Sequence, residues 1–88
     1  MELMLGQIVR SLKGHDMDEL YIISRLEENY AYLTDGKLRM LDNPKKKKFK
    51  HLELLDNTNN SELINKFKNF EDVSNSDIRE AIENYKKN

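Results

Sequence analysis

The run Asn43-Pro44-Lys45-Lys46-Lys47-Lys48-Phe49-Lys50-His51 concentrates more positive charge than any other stretch of this 88-residue chain. Ammonium groups at that density neutralise phosphates and release condensed counterions, which gives affinity for a polyanion without reading its sequence. Each lysine is a flexible point charge, suited to a phosphate oxygen and poorly suited to bidentate contact with a base edge. From Lys37 to His51 seven basic residues face Asp42 alone, a local charge of +6, whereas Arg10 to Gly36 carries −3. The formal net charge of −1 therefore says little about the field a partner meets. Two plainer explanations stand beside phosphate binding: a solvated loop, and a Pro-Lys-Lys-Lys import signal of a kind that arises often by chance.

Other constellations offer less. Tyr32 and Arg39 are expected side by side on the outer face of a hairpin, where an aromatic ring next to a cation makes a stacking platform for unpaired bases. The same pair also serves as an ordinary cross-strand contact. His15-Asp16-Met17-Asp18-Glu19 lacks the spacing of a calcium loop and has no second histidine nearby for zinc, so a solvated acidic turn is expected. Catalysis has little to work with. There is no cysteine, the two histidines lie far apart in sequence, and three glycines make no phosphate cradle. Glu27 and Glu28 are adjacent in a turn where water keeps both ionised. No cofactor, metal or small-molecule substrate is expected, and the chain reads as a non-enzyme. The amino terminus lacks a basic leader and an apolar stretch of membrane-spanning length, so a cytoplasmic protein with no membrane partner is expected.

The elements that must position these residues fall into two regions. Up to about Asp56 the apolar runs are short, β-branched or aromatic, and divided by turn residues. Gln7–Arg10, Leu20–Leu26, Tyr30–Thr34, Lys37–Leu41 and 51–54 are expected as strands, a pattern that suits a small barrel or sandwich. Asp35-Gly36 is the strongest hairpin signal, for a type I′ turn with positive φ at both central positions. That register pairs Thr34 with Lys37, Leu33 with Leu38, Tyr32 with Arg39 and Ala31 with Met40, and puts Leu33, Leu38, Ala31 and Met40 on one face. Pro44 breaks the chain after the hairpin. A polar linker over 57–60 is followed by helical periodicity over 61–88. Leu63, Ile64, Phe67 and Phe70 form one apolar stripe. Ser74 and Asp77 form a capping box, with Val73 and Ile78 as its hydrophobic staple.

Gly6-Gln7-Ile8-Val9-Arg10-Ser11-Leu12-Lys13-Gly14-His15-Asp16 resembles the KOW motif, in which a glycine leads a strand and a second glycine and an acid shape the next turn. The ordered set of this motif, Asp35-Gly36, Asn43-Pro44-Lys45-Lys46-Lys47 and His51-Leu52 is similar to small bacterial KOW-domain RNA-binding proteins. Those proteins look like archaeal and eukaryotic large-subunit ribosomal proteins. The resemblance implies a mainly β fold, with a five-stranded SH3-like barrel over residues 3–56 and a short helical extension. It departs from the family at Met17 and Asp18, where a basic residue and another glycine are usual.

The resemblance also implies a non-catalytic RNA-binding role in translation, with ribosomal RNA as partner and ribosomal proteins as neighbours. Lys45, Lys46, Lys47, Lys48 and Lys50 are expected to hold phosphates. Lys37 and Arg39 extend the basic surface, Tyr32 or His51 engages an exposed nucleotide, and Arg10 and Lys13 add contacts from the motif. The alternative is a protein-interaction module that docks through Tyr21, Tyr30 or Phe67 and the C-terminal helices.

Overall fold

The computed structural model describes residues 2–87; Met1 and Asn88, the last residue of the expected extension, lie outside the described residues. Its strands are β1 (Ile8–Ser11), β2 (Leu20–Glu27), β3 (Tyr30–Thr34), β4 (Lys45–Lys48) and β5 (Leu52–Leu54), with a single 3-10 turn over Phe49–His51. Two helices follow, α1 (Ser61–Lys68) and α2 (Asn75–Lys87). The strands form one antiparallel sheet in the order β4-β3-β2-β1-β5, so β4 and β5 are its edges and no ladder joins them. Among the described residues no helix is long and apolar enough to cross a membrane.

Consecutive apolar residues in β1 and β2 bury both faces of the sheet, because side chains alternate from face to face. Val9, Tyr21 and Ile23 point to one side and pack with Ala31, Leu33 and Leu52. Ile8 and Ile22 point to the other and meet Leu63, Ile78 and Ile82 of the helices. The extension is thus half of a second core rather than an appendage. The intervening asparagines are stitched to the sheet. Asn57 Oδ1 accepts the Ile8 N–H at 2.8 Å, and Asn60 Nδ2 donates to the Gly6 carbonyl at 2.6 Å. The capping box forms as expected: Asp77 accepts the Ser74 N–H at 2.9 Å, and Ser74 Oγ accepts the Asp77 N–H at 3.1 Å. Phe70 leaves the expected stripe. Helix α1 ends at Lys68, Phe70 takes a φ of +55°, and the residue is 96% exposed.

The expected hairpin at Asp35-Gly36 is replaced by a different one. Residues 37–41 form no strand, Leu38 is 88% exposed, and β3 pairs instead with the lysine run: Tyr30 with Lys48, Ala31 with Lys47, Tyr32 with Lys46 and Leu33 with Lys45. Only Gly36 of the two central residues has positive φ, so a type I′ turn does not form. The Asp35 carboxylate explains why. It accepts the N–H groups of both Lys37 and Arg39 at 2.9 Å, closing a local turn that competes with a ladder. Helix α2 then clamps this turn: Arg79 Nη1 donates to the Gly36 carbonyl at 2.7 Å, and Asn75 Oδ1 accepts the Leu41 N–H at 2.8 Å. The tight two-residue loop lies elsewhere, at Glu28-Asn29, where Glu27 pairs with Tyr30 and Asn29 takes a φ of +67°.

A Cβ on Gly36 would lie 2.5 Å from the Asn75 carbonyl oxygen, at a φ of +75° that L-residues disfavour. Gly36→Ala should therefore destabilise the protein by about 2–3 kcal/mol, through left-handed strain and displacement of α2 together. Urea unfolding checks this, and an unchanged midpoint would mean that the turn and the helix do not depend on each other.

Candidate nucleic-acid interface

Period-two alternation divides the lysine run. Residues directly opposite in an antiparallel pair share a face, so Lys45 and Lys47 lie on the face of the buried Leu33 and Ala31. Lys46 and Lys48 lie with Tyr32 and Tyr30. The two inward lysines lay their methylene stems over the core and carry their charges to its rim. There Lys47 Nζ donates to Asp16 Oδ1 at 2.5 Å, Ser11 Oγ at 2.7 Å and the Lys13 carbonyl at 2.6 Å, while Lys45 Nζ lies 2.9 Å from Asp16 Oδ2. The side chains of Lys47 and Asp16 are each only 9% exposed. The expected phosphate-binding loop is thus an edge strand, and two of its five lysines are committed to an internal carboxylate.

Asp16 corrects the expectation of a solvated acidic turn. Gly14, at a φ of +97°, turns the chain so that Asp16 points back over β1, where Ser11 Oγ donates to it at 2.9 Å. Burial alone would raise its carboxyl, but hydrogen bonds from Lys47, Lys45 and Ser11 overcome that and hold it well below the ordinary carboxylate range. Nearby, burial and then the negative charge of Asp16 push the Tyr21 phenol up.

The outer face carries a second cluster. A bulge in β2 between Ile23 and Arg25 resets the register and places Arg25 opposite Tyr32 and Glu27 opposite Tyr30. Tyr32 donates its hydroxyl to Glu27 at 2.8 Å, and its ring has Arg25 at 5.0 Å and Lys46 at 5.9 Å from the centroid. Lys46 sits closer still to Tyr30, at 4.5 Å, and 3.6 Å from Glu27. The Tyr32 hydrogen bond, opposed by slight desolvation and aided by Lys46 and Arg25, keeps the Glu27 carboxyl below its usual value. Tyr32 is therefore beside Arg25 and Lys46, not beside Arg39 as the expected hairpin required.

The remaining expected residues separate into two groups. Lys37 and Arg39 lie in the turn at the far end of β3 from Lys48, so they do not extend the lysine surface. Arg10 is paired with Glu53 of the neighbouring strand. By contrast Lys13, Lys48 and Lys50 are exposed, have no carboxylate partner among the described residues, and converge electrostatically on His51. Partial desolvation, then the charges of Lys13, Lys50, Lys48 and Lys47, hold the His51 imidazole below its ordinary value. The exposed cationic centre is thus Lys13, Lys48 and Lys50 around His51.

Beside it, Asn29, Tyr30, Lys48, Phe49 and Lys50 line a cleft of about 420 Å³. Sequence reasoning missed Asp16, Arg25, Glu27, Asn29 and Phe49 as members of these clusters. The signal for the first was the alternation through Lys45–Lys48, which forces every second lysine inward once that segment is a strand. Among the described residues no group of three His, Asp or Glu side chains is placed to hold a metal ion. No protein-family model matches the chain, and no curated protein sequence matches it.

The Asp16 cluster sets an acid limit on stability. Its folded carboxyl titrates below the unfolded one, so its contribution is fully present above about pH 4 and is lost as pH falls from there. In urea unfolding across a pH series, Asp16→Asn should flatten the loss of stability between about pH 4 and pH 2. Lys47→Met should cost about 2 kcal/mol at neutral pH, less than full isolation of a buried charge because Lys45 remains.

Proposed function

We propose that this chain is a non-catalytic RNA-binding module of the SH3-like KOW type that acts on ribosomal RNA in translation. The observation that carries the proposal is the exposed trio Lys13, Lys48 and Lys50 around His51, which has no ion-pair partner among the described residues, whereas Lys45, Lys46 and Lys47 of the same run are held by Asp16 and Glu27. Unpaired ammonium groups on β4, on the following 3-10 turn and on the turn after β1 suit a phosphate backbone.

Two features support the finer family assignment. The strand order β4-β3-β2-β1-β5, with a 3-10 turn before the last strand, is compatible with a small barrel of the SH3 kind. Asp18 adopts a φ of +73°, the left-handed conformation for which a glycine is best suited, at the position where the resembled family usually has one. Asp tolerates that region better than most residues, so the departure from the motif preserves the turn while adding negative charge. The basic surface accordingly moves away from His15–Asp18 toward Lys48–His51. Of the residues of the peptide-docking alternative, Tyr21 is buried and Phe67 packs against the helical core, which leaves Tyr30.

Filter binding to structured ribosomal RNA across a salt series tests the proposal. Wild-type affinity should fall steeply with salt, and Lys48→Ala with Lys50→Ala should reduce the slope by about 1.5–2 units. An unchanged slope sinks the assignment of these lysines. Proton NMR on the unmodified protein provides an independent check. The His51 imidazole should titrate below about 6.5 when free and rise once an RNA backbone places negative charge among its lysines. A His51 titration indifferent to saturating RNA would place the contact elsewhere.

A further inference from the structure

We propose that the cleft bounded by Tyr30, Phe49, Lys48 and Lys50 takes one unpaired nucleotide of the bound RNA. The base lies against the Tyr30 ring, and its flanking phosphates rest on the two lysines. The assignment rests on the RNA-binding reading above and gives it a specific subsite.

The cleft volume of about 420 Å³ falls in the range of small-molecule pockets, suited to one nucleotide rather than to the flank of a duplex. No carboxylate lines it, and neither Lys48 nor Lys50 has an ion-pair partner among the described residues. Its walls are fixed before any ligand arrives. Tyr30 and Lys48 are ladder partners, and the Phe49 N–H donates to the Asn29 carbonyl at 3.0 Å, tying the β2–β3 turn to the end of β4. Lys46, 4.5 Å from the Tyr30 centroid, further restrains that ring.

The Tyr30 ring flanked by two cations matches the chemistry of a nucleotide, which joins a π-face to an anionic ester, while Phe49, whose side chain also packs against the inner core, closes the cleft wall. A paired base hides its faces in the helical stack, so only an unpaired one can use such a platform. Tyr32 has its hydroxyl on Glu27 and two cations at its ring, Arg25 and Lys46, whereas Tyr30 has Lys46 alone. Asn29 also lines the cleft, and its side-chain amide carries both a donor and an acceptor.

Fluorescence anisotropy with a labelled ten-nucleotide single-stranded RNA and a fully paired hairpin of matching charge tests the subsite. Tyr30→Leu should weaken single-strand binding about tenfold without changing the salt slope, and should leave hairpin binding unaltered. Amide chemical-shift mapping on the wild-type protein needs no substitution. The single strand should perturb Asn29, Tyr30, Lys48, Phe49 and Lys50 first. Perturbations centred on Lys37–Arg39, or a Tyr30→Leu protein that binds the single strand as wild type does, overturn the subsite. If the lysine-dependent salt slope survives that result, the broader RNA-binding reading stands. Wild-type protein that binds neither RNA overturns both. Displacement of the strand by an equal concentration of free nucleoside monophosphate would reassign the cleft to a free nucleotide.

Discussion

The Asp16 carboxylate, gripped by Lys45 and Lys47, is the contact on which the shape of the sheet depends. Lys47 sits on an edge strand and Ser11 three strands away, a separation of about 14 Å in a flat sheet. No lysine side chain spans that distance, yet its Nζ lies 2.7 Å from Ser11 Oγ. The sheet must therefore coil back over its own inner face, with Val9, Tyr21, Ile23, Ala31, Leu33 and Leu52 filling the space enclosed. No ladder joins β4 to β5, so the ionic clasp is what ties the edge strand to the turn after β1. Breaking it would leave a carboxylate buried without its counter-charge, which costs more than the pair itself contributes.

That clasp also explains a composition that looks purely functional. Four consecutive lysines in a strand cannot all face solvent, because the backbone sends alternate side chains to opposite faces. The inward pair neutralises Asp16 and the outward pair remains for other purposes. Lysine on an edge strand has a further physical use. Together with Pro44 immediately before it, the charge on β4 discourages pairing with another copy's edge. The density of the run thus has two structural causes before any partner is considered. Only the exposed residues beyond those needs, Lys48 and Lys50 with Lys13, are left for the proposed contact with RNA.

Much of this was legible in the sequence where one local rule decided the outcome. β1, β2 and β3 follow from β-branched runs. The Ser74–Asp77 box and the Val73–Ile78 staple follow from their spacing, since caps act within a single turn of chain. The Asp35-Gly36 signal misled because two local rules competed. A hairpin turn there required a ladder over 37–41, while the Asp35 side chain offered its own hydrogen bonds to the same backbone. Contacts more than thirty positions away in sequence then decided the matter, as Asn75 and Arg79 fixed the turn from α2. Asp16 was unreadable for the same reason. Nothing within a few residues of it announces that two lysines some thirty positions on will neutralise it.

The outer tyrosines show how such long-range pairing redistributes function across a surface. Had residues 37–41 paired with β3, Tyr32 would face Arg39 where it now faces Lys46. Glu27 and Arg25 reach Tyr32 from β2 through the bulge, independently of that pairing, and satisfy it with protein groups. The actual register of β3 and β4 carries the lysine strand past Tyr30 and delivers Phe49 and Lys50 to the Asn29 turn. Aromatic and cationic groups without acidic partners therefore accumulate at one corner of the sheet rather than along the hairpin. The proposed interface is a consequence of strand pairing, and the residue types alone do not specify it.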